Sequence, residues 1–344
     1  FIFQAVASSP RGSFWLIAVI FLGVTLSNLF SLWIAYGFGK ILLPYAVNTE
    51  TFSFSDIATS KVQILFSLPF TKWLGAEKAL AFGIACGIGI NILKDESLLK
   101  RKINFAAGKL NDAISLFLSK CFLPLIPLYV FGFCLKLSFE GALTVLFGQY
   151  GKVFFLCLAI GIIYLFIFYF AASGWNLKKT LLNISMMSPA GLMAFSTMSS
   201  AMTMPLTIRC TEQMTGNSNY SRFIIPSTAN THMLGDNINL LIMSMALMTL
   251  FGMPTPDLIR FIPFALAFSF AKLSCVGLPG ASVLVVLPVL QQELGFSPEM
   301  LSLITTLYIL QDPFGTAANV MGNGAFALMG QKGLSRLTLS RPAP

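Results

Sequence analysis

The stretch Tyr308-Ile-Leu-Gln-Asp-Pro-Phe-Gly-Thr-Ala-Ala-Asn-Val-Met-Gly-Asn323 sets a single acid in a run that is otherwise apolar, small or uncharged. Asp312, Thr316, Asn319 and Asn323 recur at steps of four and three, so a helix places them on one face. An acid at the centre of a bilayer costs at least about 2.5–3.5 kcal/mol on insertion scales, which makes it a functional candidate by default. A polar stripe with one acid suits a ligand that carries an ammonium group and a carboxylate. It equally suits hydrogen-bonded packing between helices, and the residues alone leave the two readings level.

The surrounding chain has the composition of an integral membrane protein. Of its 344 residues 56% are hydrophobic and 10% charged, with a mean hydropathy of +0.79, whereas soluble domains carry about 25% charged residues. Soluble enzymes and nucleic-acid binders are thereby poor candidates. The net charge of +9 reads as lysine and arginine gathered in cytoplasmic loops. The six cysteines are scattered without a CxxC pair and His232 is the sole histidine. Neither a disulfide framework nor a multi-histidine metal centre is expected, and no cofactor is implied.

Phe14 to Phe38 and Val153 to Leu177 are uncharged and meet the roughly 20 residues that a spanning helix needs. Ile64 to Phe70, Ala79 to Leu93 and Cys121 to Leu135 are shorter and interrupted by glycine or proline. The run Thr180 to Ile208 is uncharged but rich in Ser, Thr, Met, Gly and Pro. Such backbone is tolerated at membrane depth where protein or a watery cavity covers it, so re-entrant hairpins are expected here. If Lys94, Lys100, Arg101, Lys102 and Lys109 mark a cytoplasmic loop, a crossing at Cys121 to Leu135 puts Lys136, Glu140 and Lys152 outside. Lys178 and Lys179 then return inside, and with an even number of full crossings in the final third the basic tail with Lys332, Arg336 and Arg341 is cytoplasmic.

Two further ionisable residues lie in uncharged sequence, Asp236 and Lys272. Asp236 follows Pro226-Ser-Thr-Ala-Asn-Thr-His-Met-Leu-Gly235, whose small and polar residues predict an interrupted helix that exposes carbonyls.

Four motifs in order give the chain a family resemblance. Ala194-Phe-Ser-Thr-Met-Ser-Ser-Ala-Met-Thr-Met-Pro-Leu-Thr-Ile-Arg209 resembles the serine-rich first hairpin of the glutamate-transporter-like family, the dicarboxylate/amino acid:cation symporters. Thr231-His-Met-Leu-Gly-Asp236 lies where that family has an Asn-Met-Asp-Gly-Thr break in its seventh helix. Gly277-Leu-Pro-Gly-Ala281 is similar to the tip of the second hairpin, and Asp312 to Asn323 to the eighth helix. The resemblance implies an all-α multi-pass fold of inverted repeats with two re-entrant hairpins, working as an elevator in a homotrimer. It divides the chain into 1–12 (end of the second helix), 13–39 (third helix), 40–150 (scaffold helices four and five), 151–332 (transport domain) and 333–344 (cytoplasmic tail). On that alignment the first helix and most of the second are expected to be missing.

The resemblance also implies roles. Ser199 and Ser200, with the second-hairpin backbone at Val276, Gly277, Pro279 and Gly280, would meet a substrate α-carboxylate. Asp312 and Thr316 would bind its amino group, and Asn319 would also bind the carboxylate. Members that carry acidic substrates place an arginine where this chain has Gly315 or Met198. Without it a buried side-chain carboxylate goes unpaired, so neutral substrates are favoured.

The family's two sodium-binding aspartates fall on Leu234 and Asn323. Asp236, two residues on and about 200° around an ideal helix, does not simply replace the first. His232, Asp236, Lys272 and Asn323 are the ion-coupling candidates, with sodium or a proton as the ion. Lys272 is open to three readings: a built-in cation, a grip for an acidic substrate, or a side chain snorkelling to the interface. His232 reads either as a proton carrier or as part of the helix break.

The expected function is secondary active symport of neutral or small zwitterionic amino acids across the inner or plasma membrane. The alternatives are an acidic amino acid or dicarboxylate symporter and an uncoupled sensor or anion-conducting relative. An enzyme is not expected, because an aspartyl protease built on Asp236 and Asp312 would lack its GxGD setting.

Overall fold

The computed structural model describes residues 14–47, 97–117, 143–275, 277 and 279–338, with scattered positions between 82 and 139. Residues 1–12, Val276 and about half of the span expected to form the scaffold helices lie outside the described residues. The described residues are helical, without strands: α1 (Phe14–Ala46), α2 (Leu98–Phe117), α3 (Leu143–Ala172), α4 (Leu177–Thr197), α5 (Ser200–Thr215), α6 (Ser218–Thr228), α7 (Leu234–Leu250), α8 (Leu258–Lys272), α9 (Ala281–Leu294) and α10 (Pro298–Thr338).

Helices α1 and α3 outrun the spans read from sequence, because Pro44 is tolerated inside α1 and α3 begins at Leu143. Portions of both, Ala18–Ala46 and Tyr150–Ala172, are long and apolar enough to cross a membrane. Helix α3 stops at Ala172, five residues before Leu177, where Gly174 and Trp175 both take positive φ and Asn176 caps α4 through Lys179 N–H at 3.0 Å.

The other helix ends are written as plainly. Met198, in the left-handed region, ends α4, and Ser199 turns extended to accept the Met202 N–H and open α5. Gly216 and Asn217 repeat that stop and start between α5 and α6. Asp257 caps α8, and the proline that opens α10 occupies a position whose N–H has no helical partner to lose.

Helix α7 is buried on every side from Leu234 to Met248, as a helix at the centre of a bundle must be. It packs against α1, α3, α9 and α10, while α10 in turn touches α3, α4, α5, α6 and α9. The main core runs along this axis through Ile238, Leu241, Met245, Phe264, Phe268, Val286, Leu303 and Tyr308.

The α7–α10 crossing is closed by glycine. A Cβ on Gly235 would lie 2.6 Å from the Gly315 carbonyl oxygen and 2.6 Å from Ala318 Cβ. A Cβ on Gly315 would lie 2.6 Å from Asp236 Oδ1. Small residues at such a contact let two backbones approach, which is how helices associate where no hydrophobic force separates lipid from protein.

Gly235→Ala should therefore lower stability, against the helix propensity of alanine, which by itself favours the substitution by about 1 kcal/mol. Overpacking against backbone costs on the order of 1–3 kcal/mol. A thermal melt of the purified variant checks this, and an unchanged or higher Tm would show that the crossing is looser than described.

Candidate functional site

Three interruptions of helical backbone meet near α10: Met198–Ser199, Ala229–Met233 and the described residues between Leu273 and Gly280. The first and third touch directly. Ser199 Oγ donates to the Gly277 carbonyl at 2.7 Å, and the Ala201 N–H reaches the same oxygen at 3.3 Å. A side chain at 277 would strike Asn230 Oδ1 and come within 3.0 Å of Ala201 N, so this contact requires glycine. Ser200 is buried at the start of α5 beside it.

Asp312 lies beneath the third break. Its Oδ2 accepts the Gly280 N–H at 2.8 Å, and its Oδ1 accepts the hydroxyls of Tyr308 at 3.1 Å and Thr316 at 3.0 Å. Gly280 holds φ 69° and heads α9 without a side-chain cap, so the carboxylate supplies the negative charge that the helix N-terminus favours. A carboxylate offers about four acceptor positions; among the described residues three are taken by these donors, and the open one is on Oδ2.

Asn319, two turns on, caps α7 from across the bundle. Its Oδ1 accepts the N–H groups of Gly235 at 2.9 Å and Asp236 at 3.2 Å, where Met233 provides no side-chain cap. Its Nδ2 donors are not used in those bonds.

The remaining candidates separate into two clusters. His232 is fully buried, with Nε2 2.8 Å from Ser27 Oγ and Nδ1 3.1 Å from Asn323 Oδ1, between the rings of Phe168 and Phe326. An amide oxygen only accepts, so in this arrangement Nδ1 carries the proton. The second cluster holds Asp236, Lys272 and Ser282. Lys272 Nζ lies 3.6 Å from Asp236 Oδ2, and their side chains are 0% and 3% exposed. Ser282 bridges the pair, accepting from the ammonium and donating to the same carboxylate oxygen. The ammonium also sits 5.5 Å from the Phe268 ring centre. Lys272 therefore does not reach an interface.

Asp236 and Asp312 each answer to their own donors. The space at Gly315, where an arginine is absent, is filled by Asp236 Oδ1, which has no hydrogen-bond partner among the described residues. Asn239 Nδ2 stands 3.1 Å from the position of a Cβ at 315. The glycine at this position thus meets a packing demand that the sequence did not reveal.

Sequence reading passed over Asn28, Ser31, Tyr308 and Ser282. Asn28, fully buried in α1, donates to the Thr231 carbonyl at 2.8 Å and accepts the Met233 N–H at 3.1 Å. Asn237 Nδ2 joins it at 3.2 Å and reaches Ser31 Oγ at 3.0 Å. The signal was present, since Ser27, Asn28 and Ser31 interrupt an otherwise apolar spanning helix on neighbouring turns.

The described residues form a helical bundle with paired arms around an acid on a polar helix face, and the chain belongs to the sodium:dicarboxylate symporter family, whose model matches residues 1–332. It is an integral membrane protein of a transporter family and not an enzyme. The chain is 27% identical over 297 residues to the "Neutral amino acid transporter B(0)" of Mus musculus, covering 84% of this chain and 51% of that protein. The same transporter of Oryctolagus cuniculus is 29% identical over 184 residues, 52% of this chain and 33% of the relative. That of Rattus norvegicus is 28% identical over 152 residues, 44% and 27%. The chain thus spans about half the length of the first of these relatives, and less of the others.

The family's name implies sodium, and the residues at the two aspartate positions do not fit it. Leu234 is fully buried, and its side chain fills the space that a Cβ on Gly322 would need. Asn323 is neutral, and its Oδ1 is already turned to His232. Neither position offers a carboxylate to offset the desolvation of a bare ion.

Asn28→Leu should cost on the order of 2–4 kcal/mol, because it orphans a buried N–H and a buried carbonyl in the second break. A thermal melt in detergent monitored by size exclusion checks this. Wild-type stability in the variant would show that the break is held by its own backbone.

Proposed function

We propose that the chain is the substrate-carrying part of a secondary active transporter, a symporter of neutral or small zwitterionic amino acids. The observation that carries this reading is Asp312, a buried acid with one acceptor position open, under the tip of one helical pair and close to its contact with the other. A substrate ammonium completes the charge at Oδ2. Its carboxylate then meets Ser199, Ser200, the Asn319 amide and the N–H groups around Gly280, all of them donors. Thr316 and Tyr308 hold Asp312 in place from its other oxygen. A neutral side chain fits a site whose Gly315 position is packed against Asp236 and whose Met198 position is aliphatic. The names of the mammalian relatives support the same substrate class.

In this reading α4–α5 and α8–α9 are re-entrant hairpins entering from opposite faces, and they belong to inverted repeats. Opening of the α8–α9 pair breaks the Ser199–Gly277 and Gly280–Asp312 contacts and admits substrate. Residues 13–39 and 151–332 form the moving body, and residues 40–150 the scaffold of a homotrimer in the inner or plasma membrane, with the C-terminus cytoplasmic. The large apolar side chains exposed on α1, α3 and α8, among them Leu26, Phe30, Phe155, Ile163, Ile259 and Phe270, give that body a surface for scaffold or lipid.

Uptake of a panel of labelled amino acids into proteoliposomes tests the proposal. Neutral amino acids should accumulate, and Asp312→Asn should weaken their binding by about 10- to 100-fold, the loss expected for one charge-assisted contact. Unaltered binding in Asp312→Asn, or accumulation confined to acidic substrates, would overturn it.

A further inference from the structure

We infer that the Lys272 ammonium is an intrinsic cation that holds the second helical pair closed, in place of an ion taken from solution. Lys272 is the last residue of α8, Ser282 the second residue of α9, and Asp236 lies in the first turn of α7. The Lys272–Ser282–Asp236 chain therefore ties both arms of one hairpin to the central helix through a single buried positive charge. All three side chains are buried, Lys272 completely.

A charge so placed is retained only where it is paired and hydrogen-bonded. Here the carboxylate, the bridging hydroxyl and the Phe268 ring meet those needs together. The same helical pair is held on its other side by the Gly280–Asp312 bond. One link thus uses the protein's own cation, and the other leaves a carboxylate acceptor open.

The consequence is a division of charges. Asp236 is paired from within through Oδ2, so a cation from solution that approaches its other oxygen meets a charge already balanced by an ammonium. Asp312 is the acid left for a ligand. An ion that couples to transport acts elsewhere in the molecule. The assignment of Asp312 rests on the function proposed above, whereas the role of Lys272 rests on its own contacts.

The test uses purified chain without any amino acid, so that it stands apart from the uptake assay. Tm is measured while sodium chloride replaces choline chloride at constant ionic strength. Lys272→Met leaves Asp236 buried and unpaired, and its Tm should fall in choline and recover with sodium more steeply than wild type responds. Adding Asp236→Asn to that variant should abolish the extra response. Where Lys272→Met does not fold, Lys272→Gln, which retains a donor for the carboxylate but no charge, carries the same comparison. Equal sodium responses in wild type and the Lys272 variant would overturn the inference, as would an extra response that survives Asp236→Asn. Loss of amino acid uptake with this pattern intact would sink the proposed function alone.

Discussion

A backbone broken inside an apolar bundle must find its hydrogen bonds in protein, because lipid offers none. The structure around α10 follows from that constraint. The break at Met198–Ser199 gives its serine to the Gly277 carbonyl, so the first and third interruptions satisfy each other. The break at Ala229–Met233 draws on Asn28 from α1, and the helix that follows it draws on Asn319 from α10. The break at Leu273–Gly280 gives its last N–H to Asp312. Ser199, Asn28, Asn319 and Asp312 thus each answer a peptide group that a helix left behind.

Those same peptide groups are what a zwitterion needs. Helix starts aimed inward favour an anion, and the single open position on Asp312 favours an ammonium. A molecule with both charges on one carbon replaces part of the bonding that the hairpin tips now supply to one another. In the proposed transporter, binding and closure are therefore the same event seen from substrate and protein. The buried Lys272–Asp236 pair sits one step behind this surface and fixes where the α8–α9 pair can rest.

Much of this was legible in the sequence. The step of four and three from Asp312 to Asn323 placed four polar residues on one helix face, and helical periodicity alone demanded it. The small and polar residues before Asp236 marked an interruption because they disfavour a continuous helix and offer side chains to free peptide groups. Helix stops at Gly216 and Gly295 follow from the left-handed backbone that glycine adopts at little cost. The exact ends of α1 and α3 were less legible, since a proline near a helix end and an apolar loop look like their neighbours in composition.

What the sequence determined by itself was local: an apolar helical chain, its breaks, and one acid on a polar stripe. The tertiary structure decided which charges meet. Asp236 and Lys272 stand far apart along the chain, and only the docking of the end of α8 against the first turn of α7 brings them to 3.6 Å. Gly315 looked like a missing side chain, yet the crossing of α7 with α10 fills its place with the Asp236 carboxylate. Asn28 drew no notice in a spanning helix, and only the tertiary structure lays the unwound backbone at Thr231 and Met233 beside it. Long-range pairing of buried charge is set by how helices pack in three dimensions, and no local pattern of residues encodes that distance.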